Sequence, residues 1–144
     1  MKKILILLLF CSCARYNQSI EFNSNFEVPA TINGTVTVPF IVDTGASETT
    51  ISSYVFMTLL KNTTITVKDS LCPKSFILAN GSQETNVRVM LKSLKVGNTV
   101  FKNVEASVGN NIYVPLLIGQ NVLKRMNRIE INYKTSKIKW YGKV

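Results

Sequence analysis

The sequence predicts an all-β domain with one or two short helices, on three observations. Asn33-Gly34, Asn80-Gly81-Ser82, Gly97-Asn98 and Lys134-Thr135-Ser136 each separate two extended runs, the pattern of β-hairpins. Helical spacing of apolar residues is confined to two short stretches, after Ser52 and after Gly119. With 144 residues, 46% of them hydrophobic, and no linker or repeat, the chain suits one domain with one core.

Taken in order, Phe26 to Ile32 and Thr35 to Val42 form the first hairpin, with Val36, Val38 and Phe40 on one face. Pro29 and Pro39 lack a ladder donor and argue for edge or end positions. Ser52 or Ser53 can cap a helix running through Leu60, with Val55, Phe56, Leu59 and Leu60 as its apolar stripe. The β-branched run Thr63 to Val67 reads as a strand and Asp69 to Lys74 as a turn. Ser75 to Ala79 and Thr85 to Leu91 then make a second hairpin, and Leu94 to Val96 with Thr99 to Val108 a third. Pro115 stops the ladder before Leu116, Leu117 and Ile118, a buried strand that turns at Gly119 into a helix over Gln120 to Met126. Arg128 to Tyr133 and Lys137 to Tyr141 close the chain as a hairpin anchored by Trp140.

Composition narrows the chemistry. The chain contains no histidine, which excludes Ser-His-Asp and Cys-His catalysis and His-ligated zinc. Three cysteines, two of them at positions 11 and 13, give neither a disulfide framework nor a metal cluster, so no cofactor and no metal is expected. Carboxylate chemistry survives. Of the two aspartates, Asp69 lies in a polar stretch, whereas Asp43 ends an apolar strand and enters a Gly turn, where surroundings can tune its ionisation.

Phe40 to Ser53 (FIVDTGASETTISS) resembles the active-site loop of the retropepsin-like aspartic proteases, and Pro115 to Met126 (PLLIGQNVLKRM) resembles that family's second signature, in the required order. The resemblance spans about Phe26 to Ile131. It implies a closed or partly closed barrel-like fold that works as a two-fold dimer, with Asp43 as the catalytic carboxylate and Thr44, Gly45 and Ala46 supporting it. It further implies that Ala79, Asn80 and Gly81 form the tip of a flap over the substrate, and that Leu117, Ile118 and Gly119 brace the Asp loop. Hydrolysis by carboxylates needs two of them sharing a proton, and this chain offers one Asp-Thr-Gly. A homodimer follows, with one Asp43 from each subunit.

The ends suggest a compartment. Lys2 and Lys3, the apolar run Ile4 to Phe10 and then Cys11-Ser12-Cys13-Ala14 have the order of an export signal over residues 1–13. The cysteine after the apolar run resembles a bacterial lipoprotein signal. Cys13, after Ser12, is a better acceptor than Cys11, after the bulky Phe10, and lipidation and plain cleavage both stay open. A polar tether is expected over 14–25 and the protease-like domain over 26–144. The protein is thus expected to be exported in a bacterium, periplasmic or membrane-anchored through an N-terminal lipid. A formal charge of +9 brings no nucleic-acid recognition motif with it, and no nucleic-acid partner is expected. The expected function is an aspartic endopeptidase acting on peptide or protein. The alternative is a non-catalytic dimeric module of the same fold, binding or assembling at the cell surface.

Overall fold

The computed structural model of the chain describes residues 17–141; the expected export signal, with Cys11 and Cys13, lies outside the described residues. The elements in chain order are β1 (Asn17–Glu21), β2 (Glu27–Ile32), β3 (Val36–Val42), β4 (Thr49–Ile51), α1 (Ser53–Lys61), a 3-10 turn (Val67–Asp69), β5 (Ser70–Ile77) and β6 (Gln83–Val96). β7 (Thr99–Val108), β8 (Leu117–Ile118), α2 (Gln120–Leu123), β9 (Arg128–Asn132) and β10 (Lys137–Tyr141) follow. Seven strands form one sheet in the order β2-β3-β8-β4-β7-β6-β5. β2 also pairs with β6, Ala30–Ile32 against Leu94–Val96, and that second pairing curls the sheet into a partly closed barrel. The all-β expectation holds.

The first hairpin turns where its chemistry says it should. Asn33 and Gly34 both take positive φ, +50° and +71°, which Asn and Gly tolerate best. Asn33 also bonds outward: its Oδ1 accepts from Ser93 N and its Nδ2 donates to Thr64 O, so the turn is stitched to β6 and to the chain after α1. Pro29 and Pro39 face each other across the β2–β3 ladder. Neither has an N–H, so theirs is a pair that exchanges no hydrogen bond, and each stands before its strand gains a second neighbour.

Phe40, Ile51, Leu59, Leu91, Leu94 and Phe101 fill the barrel without exposure. β6 serves two hairpins. Its end, with β7, belongs to the barrel, while its beginning and β5 reach past the end of β7, where Val87 opposes Val108. α1 starts at Ser52, whose Oγ accepts from Val55 N, and buries Val55 and Leu59. The second, three-stranded sheet has the order β1-β10-β9. Ile138 and Trp140 are buried from it, and Trp140 Nε1 donates to Thr99 Oγ1 at 2.9 Å, so the largest side chain of the core leaves no polar group unpaired.

Four expectations need correction. The stretch read as a tether contains β1, which pairs along its length with β10, Asn17 opposite Tyr141 through Glu21 opposite Lys137. One inward apolar residue, Ile20, gave no period to read, and the partner lies far along the chain. Thr63 to Val67 is not a strand. Thr63 at φ +54° ends α1 and the chain reverses, with Thr64 N bonding Leu59 O and only Ile65 buried. Asp69 to Lys74 is mostly strand, with an irregularity between Leu71 and Lys74 where Pro73 cannot donate. β5 is largely exposed on both faces, so its residues carry no apolar alternation. The second helix stops at Leu123, though Val122, Leu123 and Met126 are all buried as expected.

Candidate active site

Asp43 sits immediately beyond β3, at the point where that strand is gripped from both sides. Ile41 and Val42 pair in parallel with Leu117 and Ile118, while Glu27 opposes Ile41 on the other edge. The ladder extends to the aspartate itself, because Asp43 N donates to Ile118 O at 3.1 Å. The half-buried carboxylate then receives Gly45 N on its Oδ1 at 2.8 Å. A Cβ on Gly45 would stand 3.2 Å from that same oxygen, so glycine lets the carboxylate lie on the turn's own amide. Thr44 and Gly45 are exposed, Ala46 half-buried.

The block after Pro115 holds this loop through its backbone. Gln120 N donates to Ala46 O at 2.8 Å, and Gln120 Nε2 to Thr44 O at 2.7 Å. Asn121 Oδ1 accepts from both the amide and the hydroxyl of Thr49, and its Nδ2 donates to Glu105 O on β7. Gly119 makes the approach feasible. A Cβ there would fall 2.3 Å from Glu48 O and 2.9 Å from Ala46 O, backbone atoms with no freedom to swing aside. Gly119 is therefore required by closeness and not by φ, which is an ordinary −95°. Leu117 and Ile118, expected beside this loop, pair with Ile41 and Val42, and Gly119 lies against the carbonyls of Glu48 and Ala46. Gln120 and Asn121 were missed as site residues, although a polar pair inside an apolar block was a visible signal.

Glu48 was missed as well. It is 6% exposed, and its carboxylate accepts Arg88 Nε at 2.9 Å, Arg88 Nη2 at 2.8 Å and Lys74 Nζ at 2.7 Å. Arg88 also pairs with Glu105. Burial opposes the Arg88 charge, but hydrogen bonds and attraction from Glu48, joined by Glu105, outweigh it and hold the guanidinium above its usual pKa. Glu48 is thus saturated by cations and is not a second reactive acid. Among the described residues, Asp43 is the one carboxylate of the loop with no cationic partner.

The β5–β6 turn carries the expected tip. Gly81, at φ +81°, donates to Leu78 O, and Asn80 Oδ1 accepts both the amide and the hydroxyl of Ser82. Ala79, Asn80 and Gly81 are exposed, and none of the tip's hydrogen bonds among the described residues reaches the Asp43 loop. No group of three His, Cys, Asp or Glu among the described residues could hold a metal ion. The arrangement presents one half-buried carboxylate at the start of an exposed turn whose backbone is held by Gly45 N and by Gln120.

A family model described as "gag-polyprotein putative aspartyl protease" matches residues 28–125, well over half the chain, and spans the Asp43 loop, the β5–β6 hairpin and the Gly119 block. The chain belongs to that family. Among solved structures, a retropepsin-like aspartic protease from Rickettsia conorii matches with a TM-score of 0.60 and 22% identity, over 88% of this chain and 90% of that one. The fold is accordingly retropepsin-like. No curated protein matches the chain.

Proposed function

We propose that this member of the aspartyl protease family is a homodimeric endopeptidase in which two Asp43 carboxylates, one from each subunit, share one proton across a two-fold axis. The observation that carries the reading is Asp43 itself, a free carboxylate on an exposed turn whose backbone is fixed on both flanks. Two carboxylates in contact cannot both ionise, so one is the base and the other the acid. The ionised one takes a proton from water as the water oxygen bonds the scissile carbonyl carbon, while the protonated one gives its proton to the carbonyl oxygen. In the collapse of the tetrahedral diol the carboxyl that took the water's proton gives it to the nitrogen as the C–N bond breaks, the other carboxylate takes a proton from a diol hydroxyl, and amine and acid leave with the pair again sharing one proton.

In this reading Thr44 locks the two loops to each other, and Ala79, Asn80 and Gly81 cover the bound peptide. The cleavage rate should follow a bell-shaped pH profile whose two limbs belong to the pair. The test is cleavage of a mixed peptide library from pH 4 to 7, with sedimentation, beside Asp43→Asn. A dimer whose cleavage vanishes in a folded Asp43→Asn supports the reading. A folded dimer inactive at every pH and equal to its mutant would favour the non-catalytic binding module. We further propose export in a bacterium, with a lipid on Cys13, from the order of charges, apolar residues and cysteines in residues 1–13. Incorporation of labelled fatty acid that is lost in Cys13→Ser checks it.

A further inference from the structure

We propose that Glu48 is a positioning residue that ties the Asp43 loop to the base of the β5–β6 hairpin, so that loop and flap are set as one unit; this rests on the peptidase reading. Glu48 is held at both of its ends. Its backbone carbonyl is pressed against Gly119, where no Cβ fits, and its side chain crosses to Lys74 on β5 and Arg88 on β6. Arg88 grips both carboxylate oxygens in a fork, its Nη1 reaches Cys72 O, and the irregularity in β5 falls between Leu71 and Lys74, the segment that delivers Lys74 to the same carboxylate.

The chemistry argues for placement over bulk stability. A carboxylate buried this deeply loses its hydration, and well-packed apolar side chains commonly stabilise such a place as well or better. What a forked ion pair adds is one permitted arrangement. The charged groups facing Glu48 come from two strands, Lys74 and Arg88, and Glu105 on β7 faces it through Arg88. The contact therefore joins loop, flap and barrel wall at one carboxylate. Asn86 offers an internal control. It lies opposite Lys74 in the β5–β6 register, is 7% exposed, and its Oδ1 is the one buried side-chain polar atom without a partner among the described residues. It lies on the same strand as Arg88, and its Oδ1 makes no hydrogen bond to the loop, so its substitution changes the strand without removing such a bond.

Two measurements on the full chain test this. In an Asp43→Asn background, Glu48→Gln should raise hydrogen exchange at residues 44–49 and at the 70–90 hairpin together by about tenfold or more, leaving α1 and β9–β10 unchanged, while Asn86→Leu leaves the loop as it was. In the active protein, Lys74→Met, at a half-exposed site, should lower kcat by about five- to tenfold with KM within about twofold, and Lys74→Arg should restore it. Loop exchange unaffected by Glu48→Gln would overturn the proposal. So would a Lys74→Met protein that melts earlier but keeps its kcat, since the cluster would then be structural only. If the parent protein cleaves nothing, the peptidase reading fails, and the exchange experiment still decides whether Glu48 ties loop to flap.

Discussion

Two glycines beside the catalytic candidate do different work, and single substitutions separate them. Gly119→Ala drives a methyl into the Glu48 carbonyl, a backbone obstacle at 2.3 Å that only a shift of the Asp43 loop relieves. The expected cost is about 2–3 kcal/mol of stability, typical of overpacking, with cleavage lost about a hundredfold or more. Gly45→Ala meets a side-chain oxygen at 3.2 Å, which can give by a few tenths of an ångström. It should cost under about 1 kcal/mol while reducing kcat at least tenfold, because the carboxylate is displaced from its amide. Urea midpoints at unchanged slope, set beside kcat and KM, check both. Asp43, Gly45 and Gly119 were legible in the sequence through the apolar runs that enter glycine turns and the family resemblance those runs carry, and the structure sets Gly45 against the Asp43 carboxylate and Gly119 against Glu48. Glu48 was not legible. Its partners Lys74 and Arg88 lie 26 and 40 residues away, and nothing near Glu48 announces an ion pair.

Among the elements, those that announce themselves by turn chemistry were readable and those made by distant pairing were not. The Asn33-Gly34 and Gly97-Asn98 turns take positive φ at Asn33, Gly34 and Gly97, so the residue types specify the bends. β1 has no such mark, since five residues with one inward isoleucine become a strand only because β10 offers an edge. The run after α1 misled for the opposite reason. β-branched residues favour strands where a neighbouring strand exists, and there the chain is held by Leu59, Leu60 and Asn33 instead. Trp140 fastens the three-stranded sheet to the barrel, 3.2 Å from where a Cβ on Gly97 would stand. Trp140→Ala should cost about 3–5 kcal/mol, read from chemical denaturation. Trp140→Phe, which loses the bond to Thr99 but keeps most of the volume, should cost about half as much or less.

At the scale of the molecule, the terminal strands satisfy each other. β1 and β10 pair within one chain, so neither needs a strand from a second copy to complete its ladder on that side. The Asp43 turn, by contrast, ends exposed, and in the proposed reading it needs a second copy to complete the carboxylate pair. A dimer that rests chiefly on that turn is expected to be weak, with a dissociation constant on the order of micromolar, and specific activity should rise with protein concentration across that range. The charge of +9 adds repulsion between copies that salt would screen, so moderate salt should favour activity at low concentration. The most direct test of the paired carboxylates mixes wild-type chains with Asp43→Asn chains at fixed total concentration above dimer formation. Two carboxylates acting together predict activity falling as the square of the wild-type fraction, to about a quarter at an equal mixture; activity falling in proportion, to about a half, would mean that each chain acts alone and would contradict the account.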